Sequence, residues 1–274
     1  MTKEPAPLKP AATVLLVRDC KKASDQLEVF MVVRHHQIDF ASGALVFPGG
    51  KVDSADLNPE LKNHLPQSQS LDDPLLSFKI ASIREAFEEC FILLARDQET
   101  GKLITSERLN GISDKYQKDM QSGKIDILSM AAAENLELAT DLLAHYSHWV
   151  TPTFMPKRFD THFFIALAPE EQLAIHDGEE SVDSVWIGPN EAMKGADEGT
   201  YTIIFPTMMN VEYLTRYETA KEAVEKSALT KTVTVLPQVE ITDEGKFLNI
   251  PAEADYSLTR RLIDPMMDPG SKKS

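Results

Sequence analysis

The stretch Arg84-Glu85-Ala86-Phe87-Glu88-Glu89-Cys90-Phe91-Ile92 decides how this chain is read. It lies inside Leu75–Arg96, where apolar residues return at helical spacing. At ~100° per residue, Ile80, Ile83, Phe87, Cys90, Phe91 and Leu94 fall on one side of a helix. Glu85, Glu88 and Glu89 gather opposite them, within an arc of ~100°. A solvated face normally sets a Lys four residues after a Glu. Here Glu85 and Glu89 are like charges at that spacing, which costs roughly 0.2–0.5 kcal/mol. Arg84 can relieve Glu88 but cannot neutralise all three. Converging carboxylates short of basic partners suit a hard divalent cation such as Mg²⁺, which takes oxygen ligands and keeps waters that phosphate oxygens can replace. A plain acidic surface is the other reading of the helix alone. Asp72 or Asp73 can cap the helix start and Pro74 suits its first turn. The apolar Ile92–Ala95 lets the helix continue past Phe91.

Around this helix the chain alternates strand-like and helical segments. Residues 1–10 carry three prolines and read as a loose arm. Ala12–Arg18 and Leu27–Arg34 are β-leaning runs separated by a polar turn, hence a hairpin. Gly43–Gly50 is a short apolar strand closed by Pro48-Gly49-Gly50, and the polar residues 51–74, with Pro59, Pro66 and Pro74, read as a loop. Residues 103–148 are expected to be mainly helical with a break at Gly123. Thr161–Leu167 and Ser184–Ile187 read as strands, the second running into a Pro189 helix start, and Phe205–Leu229 reads as one long helix. Short β-like runs follow Lys231.

The 274 residues can bury a core without disulfide or metal staples. With 28 Lys+Arg against 43 Asp+Glu, the net charge of −15 argues against nucleic-acid or anionic-membrane binding. The apolar run Ala11–Val17 is far shorter than the ~18 residues of a membrane span, and its flanks do not suit a secretory signal. Cys20 and Cys90 make neither a zinc site nor a disulfide framework. A cytoplasmic protein of a reducing compartment is expected.

The order of a strand ending in Phe47-Pro-Gly-Gly50, a loop, and Arg84-Glu85-x-x-Glu88-Glu89 resembles the Nudix box. Gly50 matches its opening glycine, Asp56 sits where the family has its first Glu, and Ala86 and Ile92 fit its apolar positions. Between Asp56 and Arg84 stand 27 residues, Leu57–Ile83, where the family has seven, and Phe91 replaces the second glycine. At a left-handed backbone, Phe would cost ~1–2 kcal/mol. Inserted boxes are typical of the branch that includes the peroxisomal coenzyme A diphosphohydrolases. Val33-Arg34 through Gly50 follows much of the signature that precedes the box there, with His35 and Asp39 as departures. Trp149-Val-Thr-Pro152, Pro156-Lys-Arg158-Phe-Asp160-Thr-His-Phe-Phe164 and Phe205-Pro-Thr207 are also similar to that branch.

The resemblance implies an α+β Nudix fold, an α/β/α sandwich with a mixed central sheet. The domain would span residues 1–230, with a helical insertion at about 103–148 and a C-terminal extension over 231–274. It implies Mg²⁺-dependent hydrolysis, with Mn²⁺ as substitute, of a pyrophosphate bond in a nucleoside-diphosphate derivative. Coenzyme A or acyl-coenzyme A is the favoured substrate; ADP-ribose, another nucleotide sugar, or an inactive nucleotide-binding module are the alternatives. By resemblance, Glu85, Glu88 and Glu89 are metal ligands, the Gly50 carbonyl is a backbone ligand and Asp56 an outer one. Arg84 would orient a carboxylate. The general base is Glu89 or Glu85 in the box, or Glu180 in the loop before Trp186. Arg34, Lys157 and Arg158 would meet the substrate phosphates, since the net charge opposes a polyphosphate at long range. The resemblance also allows a homodimer.

Overall fold

A computed structural model describes residues 4–20, 25–33, 44–175 and 184–262. In chain order the elements are β1 (Leu8–Asp19), β2 (Leu27–Val33), β3 (Leu45–Val46), β4 (Gly49–Lys51), α1 (Leu76–Cys90), β5 (Ala95–Asp97), α2 (Ser106–Gln121), α3 (Ile127–Ala133) and β6 (Leu136–Leu138). These are followed by β7 (Ala144–Val150), β8 (Arg158–Leu167), β9 (Ser184–Ile187), α4 (Pro189–Asp197), α5 (Phe205–Leu214), α6 (Ala220–Leu229), β10 (Thr234–Val235), β11 (Gln238–Thr242), β12 (Gly245–Asn249) and β13 (Arg260–Leu262).

Eight strands form one mixed sheet in the order β10-β7-β8-β1-β2-β3, with β4 also on β1 and β9 also on β2. β1 runs parallel to β8 and antiparallel to β2 and β4. Its centre is apolar on both faces, as a strand covered on both sides must be. Ala12, Val14 and Leu16 join Ile80, Ile83 and Phe87 of α1 in one core. Leu15 and Val17 join Met209, Leu214 and Ala223 of the helices on the opposite face. The architecture is therefore the expected α/β/α sandwich.

The hairpin of β1 and β2 and the span of β9 match the sequence reading. Several expectations are corrected. The N-terminal arm is ordered earlier, because Leu8 already pairs with Arg158 in the β1–β8 ladder. The loop over 51–74 contains two short 3₁₀ turns, Ser54–Leu57 and Pro59–His64. The insertion is helical only through α3; β6 pairs with β5, and β7 belongs to the main sheet. Gly123 breaks the helices at φ 70°, a left-handed conformation glycine adopts without penalty. The long helix predicted over Phe205–Leu229 is two, because Thr219 adopts extended backbone and its side chain accepts the Glu222 N–H, starting α6 afresh.

The C-terminal segment closes on this frame. β10 extends the sheet beside β7. Tyr256 packs into the core next to Trp149, accepting its indole N–H at 3.0 Å and donating to Asn210 Oδ1 at 2.9 Å. No helix among the described residues is long and apolar enough to cross a membrane.

Candidate functional site

α1 starts at Leu76, just after Asp73, whose carboxylate accepts the Leu75 N–H at 2.9 Å and pairs with Lys79. Its inner face is held in the core by Ile80, Ile83, Ala86, Phe87 and Cys90, and this fixes the rotation of the carboxylates on the other face. They meet β4. Glu89 Oε2 accepts the Gly49 N–H at 3.1 Å. The Glu85 carboxylate lies so close over Gly50 that a Cβ there would come within 2.4 Å of Glu85 Cδ and Oε1. The glycine is thus required by space: any side chain would take the place of the carboxylate.

Arg84 ties this acidic surface to the segment after β4. Its Nε and Nη2 grip the two oxygens of Asp56 at 3.0 Å each, and Nη2 also donates to the Lys51 carbonyl at 2.8 Å. Nη1 donates to Glu85 at 2.9 Å and to both oxygens of Glu88 at 3.4 Å. Asp56 accepts the Asp53 N–H as well, at 2.8 Å, in a reciprocal cap that shapes the first 3₁₀ turn. Burial pulls the Arg84 pKa down, but Asp56, Glu85 and Glu88 together outweigh it, so the net shift is upward and the guanidinium stays charged. Burial pushes the Glu85 and Glu88 carboxyls up, while Arg84 opposes this.

These contacts allow a test of whether a divalent cation suits the place. Arg84 brings one positive charge to three carboxylates, Asp56, Glu85 and Glu88, so by itself it leaves them short of neutrality. Crowded carboxylates, with Glu85 and Glu88 half-buried, supply the oxygen donors that Mg²⁺ and Mn²⁺ prefer. The residues fit.

Two of the expected ligands change role. Asp56 has no exposed side-chain surface and both its oxygens are engaged by Arg84, so it positions the arginine and is not a metal ligand. The β1–β4 ladder, with Val14 N–H on the Pro48 carbonyl and Val52 N–H on the Pro10 carbonyl, also pairs Ala12 with Gly50. That register turns the Gly50 carbonyl toward β1 and leaves the Gly49 peptide on the side of Glu89. Gly49 is therefore the better backbone candidate. The alternation of strand pleats could have suggested it, but only once the register was known.

The remaining predicted residues disperse. Arg158 is buried, donating Nε to the Thr151 carbonyl and Nη1 to the Ala6 carbonyl, each at 3.1 Å. It fastens the N-terminal segment to β8, so the expectation of a phosphate contact there is corrected. Lys157 is exposed. Arg34 and Glu180, like His35 and Asp39, lie outside the described residues.

Phe91 also differs from expectation. The helix does not continue: Phe91 takes φ 56°, ψ 32°, donating its N–H to the Phe87 carbonyl while Ile92 N–H reaches the Ala86 carbonyl. The left-handed turn survives with Phe because both sides of it are tied down. Gln117 and Gln121 of α2 donate to the Glu88 carbonyl, and Gln117 reaches that of Phe87 as well. The fully buried Gln172 accepts the Leu93 N–H and donates to the Leu93 carbonyl, each at 3.0 Å. The insertion therefore braces the end of the carboxylate-bearing helix.

Comparison with known proteins agrees with this geometry. The family description "NUDT19 Nudix domain" matches residues 66–214. The chain is 29% identical over 216 residues to a Caenorhabditis elegans protein named nudix hydrolase 7, covering 77% of this chain and 61% of that protein. It is 25% identical over 206 residues to the Xenopus laevis acyl-coenzyme A diphosphatase NUDT19, covering 61% and 54%. It thus spans less than two thirds of the length of these two relatives. Against the human acyl-coenzyme A diphosphatase NUDT19 it is 22% identical over 294 residues, covering 91% and 77%. The crystal structure of a NUDIX hydrolase from Alicyclobacillus acidocaldarius superposes with a TM-score of 0.60 at 26% identity, over 80% of this chain and 96% of that one.

Proposed function

The chain belongs to the NUDT19 Nudix domain family, and from that premise we propose that it hydrolyses the pyrophosphate bond of a nucleoside-diphosphate derivative, with an acyl-coenzyme A or coenzyme A as the favoured substrate. The observation that carries the reading is the acidic cradle. Glu85 lies on Gly50, Glu89 on the Gly49 N–H, and Glu88 on Arg84, all from one helix face. The substrate class rests on the relatives named acyl-coenzyme A diphosphatases.

Glu85, Glu88 and Glu89 would hold Mg²⁺, with the Gly49 carbonyl as backbone partner. When bound, the cation lowers the pKa of water and neutralises charge on the phosphoryl oxygens. Glu89 is the proposed proton acceptor within the box. Its hydrogen bond from the Gly49 N–H holds the carboxylate at the edge of the cradle, where it would take a proton from an attacking water. Arg84 holds Glu85 and Glu88 in place and, through Asp56, fixes the start of the inserted loop relative to β4. The anhydride bond breaks as the P–O bond from water forms, and the departing phosphate carries away the electron pair.

The test is turnover of coenzyme A, an acyl-coenzyme A, ADP-ribose and NADH by the purified chain with and without Mg²⁺. Glu89→Gln is expected to lower turnover by at least ~100-fold with little change in melting temperature. Metal-independent turnover, or full activity of Glu89→Gln, would refute the reading. Turnover of ADP-ribose with none of the coenzyme A compounds would keep the chemistry and refute the substrate class.

A further inference from the structure

On the same face of the sheet as α1, across β1 from the carboxylate cradle, β7 and β8 bring three histidines and an aspartate together. His148 Nε2 stands 2.5 Å from Asp160 Oδ1, and the rings of His148 and His162 stack with centroids 3.9 Å apart at 11°. Behind them, His162 Nδ1 lies 3.0 Å from His145 Nε2, and His145 Nδ1 lies 2.9 Å from Thr232 Oγ1. His148 Nδ1 lies 2.9 Å from Thr234 Oγ1. Both threonines come from the segment that leads into and forms β10.

One choice of tautomers gives the two chains of contacts a common direction. If His145 donates Nδ1–H to Thr232, its Nε2 accepts from His162 Nδ1–H, and His162 Nε2 is left with a lone pair. If His148 donates Nδ1–H to Thr234, its Nε2 lone pair points at the Asp160 carboxylate. A cation between the two acceptors would then satisfy both, whereas in the other tautomer Nε2–H donates to Asp160 directly. Metal-ligating histidines characteristically give the other ring N–H to a second group that fixes the tautomer, and here each potential ligand has that partner. One ligand atom from each of His148, Asp160 and His162 lies within 4.8 Å of the others.

We propose that His148, Asp160 and His162 form a binding site for a transition-metal dication of the Zn²⁺ type, through both Nε2 atoms and the Asp160 carboxylate. The two-nitrogen, one-oxygen donor set selects against Mg²⁺ and for metals that favour imidazole. It also sets this site apart from the all-oxygen cradle. Tetrahedral Zn²⁺–N bonds of about 2.0–2.1 Å require nitrogens roughly 3.4 Å apart with lone pairs converging on the ion, so binding must swing the two rings out of their parallel stack. The side chain of Asp160 is 33% exposed, which gives an ion access and leaves room for a water as fourth ligand. The site is close to the cradle. His162 and Gly50 both pair with Ala12, from opposite sides of β1, which puts their Cα atoms about 9.5 Å apart at two strand spacings. Phe78 of α1 packs on the His162 ring with centroids 4.4 Å apart.

The test is a Co²⁺ titration of the full chain in buffer with excess Mg²⁺, read by visible absorption and repeated on His148→Gln, Asp160→Asn and Glu89→Gln. One equivalent should bind with a Kd of about 1 μM or tighter, giving the bands of a tetrahedral nitrogen–oxygen site that Zn²⁺ abolishes. A hundredfold excess of Zn²⁺ over Kd should raise the melting temperature by roughly 5 °C or more. The bands should disappear in His148→Gln and Asp160→Asn and persist in Glu89→Gln, with melting curves confirming that each variant folds. No bands in the parent chain, bands that survive both substitutions on β7 and β8, or bands lost only in Glu89→Gln would each overturn the proposal. Because the readout is spectroscopic, its failure would leave the hydrolase reading untouched, and the reverse holds too.

Discussion

Replacing Gly50 by alanine separates the cradle from the fold. The added Cβ would stand 2.4 Å from Glu85 Cδ and Oε1, and 2.5 Å from Oε2. Non-bonded carbons approach to about 3.5–4.0 Å, so the carboxylate must withdraw by roughly 1 Å or more. It can do so, because it is the far end of a flexible side chain, and the backbone need not move. The cost in stability is then mostly the lost Arg84–Glu85 hydrogen bond at 2.9 Å, about 1 kcal/mol once the freed carboxylate is rehydrated. That corresponds to a fall in melting temperature of roughly 2–4 °C. The cost in function is larger, since misplacing a catalytic group by about 1 Å loses on the order of a hundredfold. Turnover of the substrate identified in the panel, measured across a Mg²⁺ series, should fall about that far and need more metal for half-maximal rate. Gly111→Ala is the control: nothing lies within 4 Å of a Cβ there, and the exposed position on α2 should gain up to about 1 kcal/mol of helix stability. A Gly50→Ala chain with kcat/KM within about threefold of the parent would show that Glu85 need not rest on Gly50 for catalysis. A chain that fails to fold would show that the backbone, and not the carboxylate, absorbs the clash.

Three further outcomes are expected. Asp56→Ala leaves the buried Arg84 without its bidentate partner and should cost about 3–5 kcal/mol in urea unfolding; a loss under about 1 kcal/mol would mean that Glu85 and Glu88 suffice to hold the guanidinium. Phe91→Gly removes a left-handed penalty of ~1–2 kcal/mol and adds ~0.5–1 kcal/mol of backbone entropy cost, so a rise of about 0.5–1 kcal/mol in unfolding free energy should appear, and a fall would show that the ring contributes more than its strained backbone takes. Burial, with His148 adding, lowers the pKa of His145 and of His162 to about 4, so the folded chain keeps both neutral where the unfolded chain is already protonated. Their contribution to stability is complete above pH 6.5 and is lost as pH falls toward 4; their imidazole NMR signals should stay in the neutral position at pH 5.5, and titration near 6.5 would contradict the burial seen here.

How much was legible in the sequence depended on the range of the interaction responsible. Helical periodicity is local, so Leu75–Arg96 announced both its buried face and its acidic face. The alternating or continuous apolar runs of β1, β2, β8 and β9 declared themselves for the same reason. Where a distant contact decided the outcome, the reading failed. Ile92–Ala95 has an apolar pattern fit for a helix, yet Gln172, Gln117 and Gln121 hold the chain in a turn. The residues 136–148 carry no mark that they leave the helical insertion for two different sheets.

The site divides in the same way. The sequence by itself determined that Glu85, Glu88 and Glu89 share a face, because helix geometry fixes the angles between residues three and four apart. Only the tertiary structure decided what that face meets. It consumed Asp56 in an ion pair with Arg84, turned the Gly49 peptide rather than the Gly50 carbonyl toward the helix, and buried Arg158 against the N-terminal segment. A carboxylate becomes a ligand, a counter-ion or a cap according to the groups within about 3 Å of it, and those groups lie far away along the chain.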